Sequence, residues 1–366
     1  MNYAKTFVPV RDTQTRAERM LAAFFDPRDR SVYSFRECYV ELTGDKRVTG
    51  RIENMDRTRL AESFGAAFRE SLDSTSFASV LGDSITRRLV AEYRAAVDFE
   101  SWRQIASVMP VHDFRVQHRT LFGGYDDLPV VAEGDPFVSL PSPADQEATY
   151  AVTKRGGTED ITLEMIKNDN VGAIQSIPKK LARAAKRTLA KFVFDFIRTN
   201  PVIYDNQALF CANHNNLGST ALDAVELGVA RSAMQKHTEI SSGDRMGVTS
   251  KSMLVPIDLE EIAWNIFRRS TNQDKTFIQM MVLNIIPVWY WTDTTDWAIA
   301  ADPADLPGIE IGFLNGQEEP ELFVQDTPNA GSMFSSDKLT YKIRHIYGGN
   351  VLPGGEKAFY KEVVAE

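Results

Sequence analysis

The sequence predicts an α+β protein carried on one long amphipathic helix, and three stretches predict it. Residues 172–200 place Ile174, Pro178, Leu181, Ala185, Leu189, Phe192 and Phe196 three or four apart, which lines one helical face. Lys179, Lys180, Arg183, Lys186, Arg187, Lys191 and Arg198 take the other faces. Pro178 is read as lying near the start, where a missing N–H costs least, and Pro201 ends the helix. Residues 120–153 contain no Lys or Arg but hold Asp126, Asp127, Glu133, Asp135, Asp145 and Glu147. Beyond Pro201, short strands mix with medium helices, the pattern of a separate α/β or α+β domain.

The bulk composition narrows the class. A chain of 366 residues can bury a sizeable core in two or three domains. With 43% hydrophobic and 25% charged residues it reads as an ordinary soluble chain. A net charge of -9 argues against a dedicated nucleic-acid binder, which needs clustered positive charge. No apolar run reaches membrane-spanning length, and the N-terminus lacks a signal-peptide core. Cys38 and Cys211 are too few and too far apart for a disulfide framework, so a reducing compartment is expected.

Taken in order, residues 15–25 suggest a short helix, and residues 32–42 and 47–52 a hairpin turning at Gly44-Asp45. Residues 58–108 read as helical, with Leu60, Phe64, Phe68 and Leu72 four apart and Trp102, Ile105 and Val108 in a last turn before Pro110. In residues 120–153 the glycines and prolines rule out long regular structure, leaving two short strands near 128–132 and 148–153. The expectation is a long acidic hairpin that cannot hold itself and lies on something else. Residues 158–165 alternate as a strand, and Asn168-Asp169-Asn170 caps the long helix. Helices are expected at 223–237 and 259–266, and strands at 252–255, 297–301, 309–314, 321–325, 339–347 and 356–363. Gly348-Gly349 is read as breaking the strand that precedes it.

Little of the chain nominates catalysis. Cys211-Ala-Asn-His214 offers one thiol and one imidazole where zinc needs about four ligands. The better reading is a turn whose polar side chains bond the backbone. No glycine pair completes a phosphate-binding motif. Asp293, Asp296, Asp302 and Asp305 read as strand ends in loops, and Trp289, Trp291 and Trp297 as core. No catalytic residue, cofactor or metal is expected. The basic helix face is either solvated or a docking surface for acid, whether packaged DNA phosphates or the acidic hairpin of a neighbour.

The order acidic hairpin, strand, long basic helix, mixed domain and returning strands resembles the tailed-bacteriophage major capsid protein, or Johnson, fold. VTKRGGTEDITLEMIKNDNVGAIQSIPKKLARAAKRTLAKFVFDFIRTNP, ALFCANHNNLG, SMLVPIDLE, DWAIAADP, IEIGFLNGQEEPEL and KIRHIYGGNV resemble its Mu-like head subunit T branch. The resemblance runs over roughly residues 60–366.

This resemblance implies an N-terminal arm at 1–58, a helical lead-in at 59–119 and an extended loop at 120–157. A peripheral domain would combine 158–205 (spine helix 172–199) with 319–366, and 206–318 would form an axial domain. Some relatives carry a protease upstream, and residues 1–58 are too short for one. The implied function is a head protein that self-assembles as hexamers and pentamers into an icosahedral shell, in a virion built in the host cytoplasm. Its partners would be itself, a portal, a scaffold or maturation protease, a decoration protein, and packaged double-stranded DNA held non-specifically, with no membrane. Candidate inter-subunit contacts are Asp126, Asp127, Glu133 and Asp135 on the loop and Lys179, Lys180, Arg183, Arg187 and Lys191 on the helix. Some members weld their shells through a loop lysine. This loop has none before Lys154, so no covalent crosslink is expected. The rival readings are an encapsulin-like compartment and, remotely, a hydrolase using Cys211 and His214.

Overall fold

The computed structural model describes residues 88–95, 99–162, 171–268, 281, 283–325, 331–336 and 338–364, apart from 126, 135, 138 and 141. The expected N-terminal helix and hairpin, the helices before residue 88 and the cap at 168–170 lie outside the described residues. The strands are β1 (Ala106–Val111), β2 (Gln117–Phe122), β3 (Asp145–Tyr150), β4 (Thr153–Thr162), β5 (Leu217–Gly218), β6 (Ser250–Val255), β7 (Asn284–Pro287), β8 (Trp297–Ala301), β9 (Ile309–Leu314), β10 (Glu321–Gln325), β11 (Lys338–Val351) and β12 (Phe359–Glu362). The helices are α1 (Val171–Thr199), α2 (Ala224–Gln235), α3 (Ile257–Arg268) and α4 (Gly331–Ser336), and residues 88–95 are also helical. Contacts divide the chain into two units, Met1–Val97 with Lys154–Arg187 and Glu318–His345, and Asp98–Thr153 with Thr188–Gln317 and Ile346–Glu366.

In the first unit, β10 runs antiparallel to β11 from Glu321↔Arg344 to Gln325↔Thr340, and β4 also pairs with β11. Its small core joins Leu89 and Tyr93 to Ala182, with Leu181, Ala185, Leu322 and Ile343 packed around them. Lys186, which the sequence pattern put on the polar face, is buried, and its ammonium lies 5.0 Å above the Tyr93 ring. His345 is buried edge-on to Tyr93, and burial lowers its pKa to about 4, so it stays neutral.

In the second unit, five strands in the order β5-β12-β8-β6-β7 form one sheet. Its central strand β8 is buried at every position, which is why it reads WAIAA without alternation. The last turns of α1 bury Leu189, Ala190, Val193, Phe194 and Ile197 in the same core as Trp297, Ile299, Ile309, Ile311 and Phe313. Each such Val, Leu, Ile or Phe side chain contributes about 1.5–3 kcal/mol on burial. Asp223 caps α2, accepting from the Val225 and Glu226 amides. Strand β9 lies between β1, to which it is parallel, and the end of β11, to which it is antiparallel.

Several boundaries differ from expectation for physical reasons. Residues 106–111 form a strand, not a helical turn. Pro110 is tolerated because β1 is an edge strand of its sheet, where a missing donor breaks no ladder. The partner of β3 is β2, six pairs from Gln117↔Tyr150 to Phe122↔Asp145, and residues 128–132 form no strand. Strand β4 already begins at Thr153 and takes in Gly156-Gly157. Pro178 sits inside α1, not at its start. Gly348-Gly349 continues β11 instead of breaking it, and the last strand begins at Phe359 after a short 3-10 turn.

Candidate functional site

Strands β2 and β3 form a two-stranded ribbon, the stem of the acidic stretch. A ribbon of two strands is marginal by itself. At its far end the Gly123 amide donates to the Ala144 carbonyl, and the Gly124 amide donates to the Ile240 carbonyl, both at 3.0 Å. The Ala144 amide donates to Ser241 Oγ at 2.9 Å. A Cβ on Gly123 would lie 2.6 Å from the Ile240 carbonyl oxygen, and one on Gly124 would run into the Glu239 carboxylate. The glycine pair therefore lets residues 239–241 close against the stem.

Beyond that closure, the described residues of 125–143 hold no strand or helix. Pro129, Pro136 and Pro143 withdraw backbone donors along the stretch, which favours an extended path without a ladder. Leu128 is 78% exposed, Phe137 89% and Val130 99%. Large apolar side chains left in water within one short stretch make it a candidate interaction surface. Of the four carboxylates the sequence nominated here, Asp127 and Glu133 are exposed, and Asp126 and Asp135 lie outside the described residues. The apolar tip was missed because Leu128 and Val130, two apart, were read as a short strand at 128–132 and not as side chains left in water. The available signal was large apolar residues scattered among prolines in a segment too irregular to bury them.

On α1, Lys179, Lys180, Arg183 and Arg187 are exposed. Lys191 is half-buried, its ammonium 5.0 Å above the Tyr290 ring. The Tyr290 hydroxyl donates to Asp195 at 2.9 Å, and burial together with Asp195 keeps that phenol protonated well above its usual range.

The Cys211–His214 stretch is a 3-10 turn. His214 Nε2 lies 2.7 Å from Asp205 Oδ2, and Nδ1 lies 3.0 Å from the Leu209 carbonyl. Both ring nitrogens thus face acceptors, and neither is aimed at the thiol. Cys211 Sγ donates to Gln207 Oε1 at 3.6 Å. Buried Asn216 donates to the Leu209 and Glu356 carbonyls and accepts from the Cys211 amide. The cluster braces a turn, as the polar-turn reading expects.

Asp302 takes Lys251 at 2.6 Å, and Asp296 is paired with Lys361 at 3.0 Å. Among the described residues no group of three or more His, Cys, Asp or Glu is placed to hold a metal ion, and no helix is long and apolar enough to cross a membrane.

The sequence profile of a family described as phage capsid protein matches residues 146–361, more than half of the chain. No curated protein matches it. Among solved structures it is similar to the Bacteriophage JBD30 capsid, with 12% identity over 72% of this chain and a TM-score of 0.42; it spans 64% of that capsid chain, just under two thirds. A chain of Mycobacterium phage Adephagia matches at 12% identity over 74% of this chain and 90% of its own, with a TM-score of 0.50. One of Mycobacterium phage Bobi matches at 11%, over 73% and 90%, with a TM-score of 0.50. At such identities the two Mycobacterium phage chains show a likeness of fold alone.

Proposed function

The chain belongs to the phage capsid protein family, and on that premise we propose that it is the major shell subunit of a tailed double-stranded DNA phage, working by contact with copies of itself. The family match carries the reading. The arm of residues 117–150 supports it, because its tip presents Leu128, Val130 and Phe137 to solvent without cover. Burying three such side chains against a neighbour is worth several kcal/mol, at about 1.5–3 kcal/mol each. Contacts of that kind are head-to-tail and close into rings. Hexamers and pentamers of an icosahedral shell are the rings proposed.

In this reading Asp126, Asp127, Glu133 and Asp135 meet basic residues of the adjacent subunit around the apolar tip. Lys179, Lys180, Arg183 and Arg187 offer one such acid-binding face, with Lys191 at its end. Residues 206–318 act as the axial domain, and 158–205 with 319–366 as the peripheral domain. Within the family, the Mu-like head subunit T branch is the one the motifs resemble. The role is structural and not enzymatic. Portal, scaffold or maturation protease and decoration proteins are the further partners, assembly takes place in the host cytoplasm, and packaged DNA is held without sequence preference.

Expressed alone or with its neighbouring genes, the protein should give closed shells by negative-stain microscopy. Particles from infected cells should protect DNA from nuclease. Boiled in detergent, mature particles should run as single chains, since the arm lacks a lysine. Cargo protein in place of DNA would point to a compartment, and a ladder of linked chains would refute the uncrosslinked arm.

A further inference from the structure

Strand β9 alternates, and its two faces do different things. Ile309, Ile311 and Phe313 enter the main core of their unit. Glu310, Gly312 and Leu314 face the other way, toward the stem of the arm. In the ladder, Gly312 stands opposite Gly348 and Glu310 opposite Asn350. Two paired glycines make a flat shelf. A Cβ on Gly312 would lie 2.8 Å from the Tyr150 ring, and one on Gly348 would lie 2.3 Å from the Ala151 carbonyl oxygen. The arm's return strand therefore lies directly on the sheet, where Tyr150 and Val152 join Val111 and Ile346 in a small apolar cluster.

Three polar side chains fasten it there. Glu310 is 4% exposed. Its Oε1 accepts from Arg119 Nε at 2.6 Å and from the Tyr150 hydroxyl at 2.5 Å. Arg119 belongs to β2, Tyr150 to β3 and Glu310 to β9, so one carboxylate oxygen ties both strands of the stem to the body. Asn350 adds a bond from its side-chain amide to the Thr149 carbonyl at 2.9 Å. The Arg119–Glu310 bond adds to the ladder with β3 and to the closure of Gly124 on Ile240 in holding β2. Thr120, Leu121 and Phe122 are exposed, and a cavity of about 230 Å³ opens beside the stem between Leu121, Met246, Leu306, Pro307 and Leu352. A carboxyl group in so dry a place has to be matched by its donors, which makes the geometry of the three groups mutually exacting.

We propose that Arg119, Tyr150 and Glu310 form a pin that sets the direction in which the arm leaves the body, and so the angle at which one subunit meets the next. The three are positioning residues for assembly, a role that rests on the shell reading above. Tyr150→Phe removes one hydroxyl and leaves the ring on its glycine shelf. Glu310→Gln keeps the shape and removes the charge, and serves as a second variant should the first repack.

The test pairs two readouts. Hydrogen exchange on unassembled full-length subunits should show the amides of 117–124 and 144–152 exchanging roughly tenfold faster in either variant, the equivalent of one lost hydrogen bond to a charged group, with β8 unchanged. Electron microscopy should show the variants forming particles of mixed diameter or open tubes where the parent forms one size. Unchanged exchange in both variants overturns the pin. Faster exchange with particles of unaltered size overturns its role in aiming the arm. A parent that forms no particle overturns the shell reading, and the exchange data tell that failure apart from failure of the pin.

Discussion

His214 has an acceptor on each ring nitrogen, Asp205 Oδ2 on one side and the Leu209 carbonyl on the other. Only the doubly protonated ring can donate to both. Burial opposes that charge, but Asp205, the Leu209 carbonyl and Glu356 outweigh it and raise the pKa above the usual histidine value. A raised folded pKa contributes stability that is complete below the unfolded value of about 6.5 and fades as pH climbs through the folded value. Thermal unfolding should show the wild-type midpoint falling by a few degrees between pH 6.5 and 9, and falling more steeply than that of His214→Gln. Parallel profiles would show the ring to be neutral. The residues 211–214 were legible as a polar turn from their side chains alone. The partner Asp205 was not, because five residues of irregular chain separate it from the motif. Glu310 was equally hidden. In IEIGFL it looks like one polar residue on a strand's solvent face, and only the stem lying over that face shows why it is buried.

At the scale of elements, the long helix was readable in extent and off in phase. The buried stripe runs through Ile177, Ala182, Lys186, Leu189, Val193 and Ile197, with Leu181, Ala185, Phe192 and Phe196 at its flank. The sequence pattern centred on that flank because large apolar residues outweigh alanines in any periodicity. Lysine counted as polar there, although its stem and cation sit against a tyrosine ring. Strands β8, β9 and β10 were legible to the residue, since continuous or alternating apolar runs end at turn residues. Gly348-Gly349 misled, because glycine in a strand is read as a break when its use here is close approach. That use has a measurable consequence. Gly348→Ala places a methyl against the Ala151 carbonyl and should cost about 1–3 kcal/mol. Gly157→Ala, whose Cβ meets nothing within 4 Å, should stay within about 0.5 kcal/mol of wild type in the same denaturant titration. Equal effects at the two glycines would remove the shelf from the account.

At the scale of the whole molecule, the extended stretch was visible because its composition forbids an independent core, and its acidity suggested what would cover it. Its side chains shift the emphasis. Leu128, Val130 and Phe137 stand in water, and no charge pattern could have pointed to them. A subunit whose described core leaves these residues bare can be completed by another copy, which is the proposal. The central claim is that the tip at residues 125–143 lies on a neighbour. The most direct measurement places a photoreactive phenylalanine analogue at Val130 in assembled particles and maps the products by mass spectrometry. The account predicts bonds between different chains, seen as doubled mass that disappears when particles are dissociated before irradiation. Bonds confined to the tip's own chain, with particles intact, would contradict it.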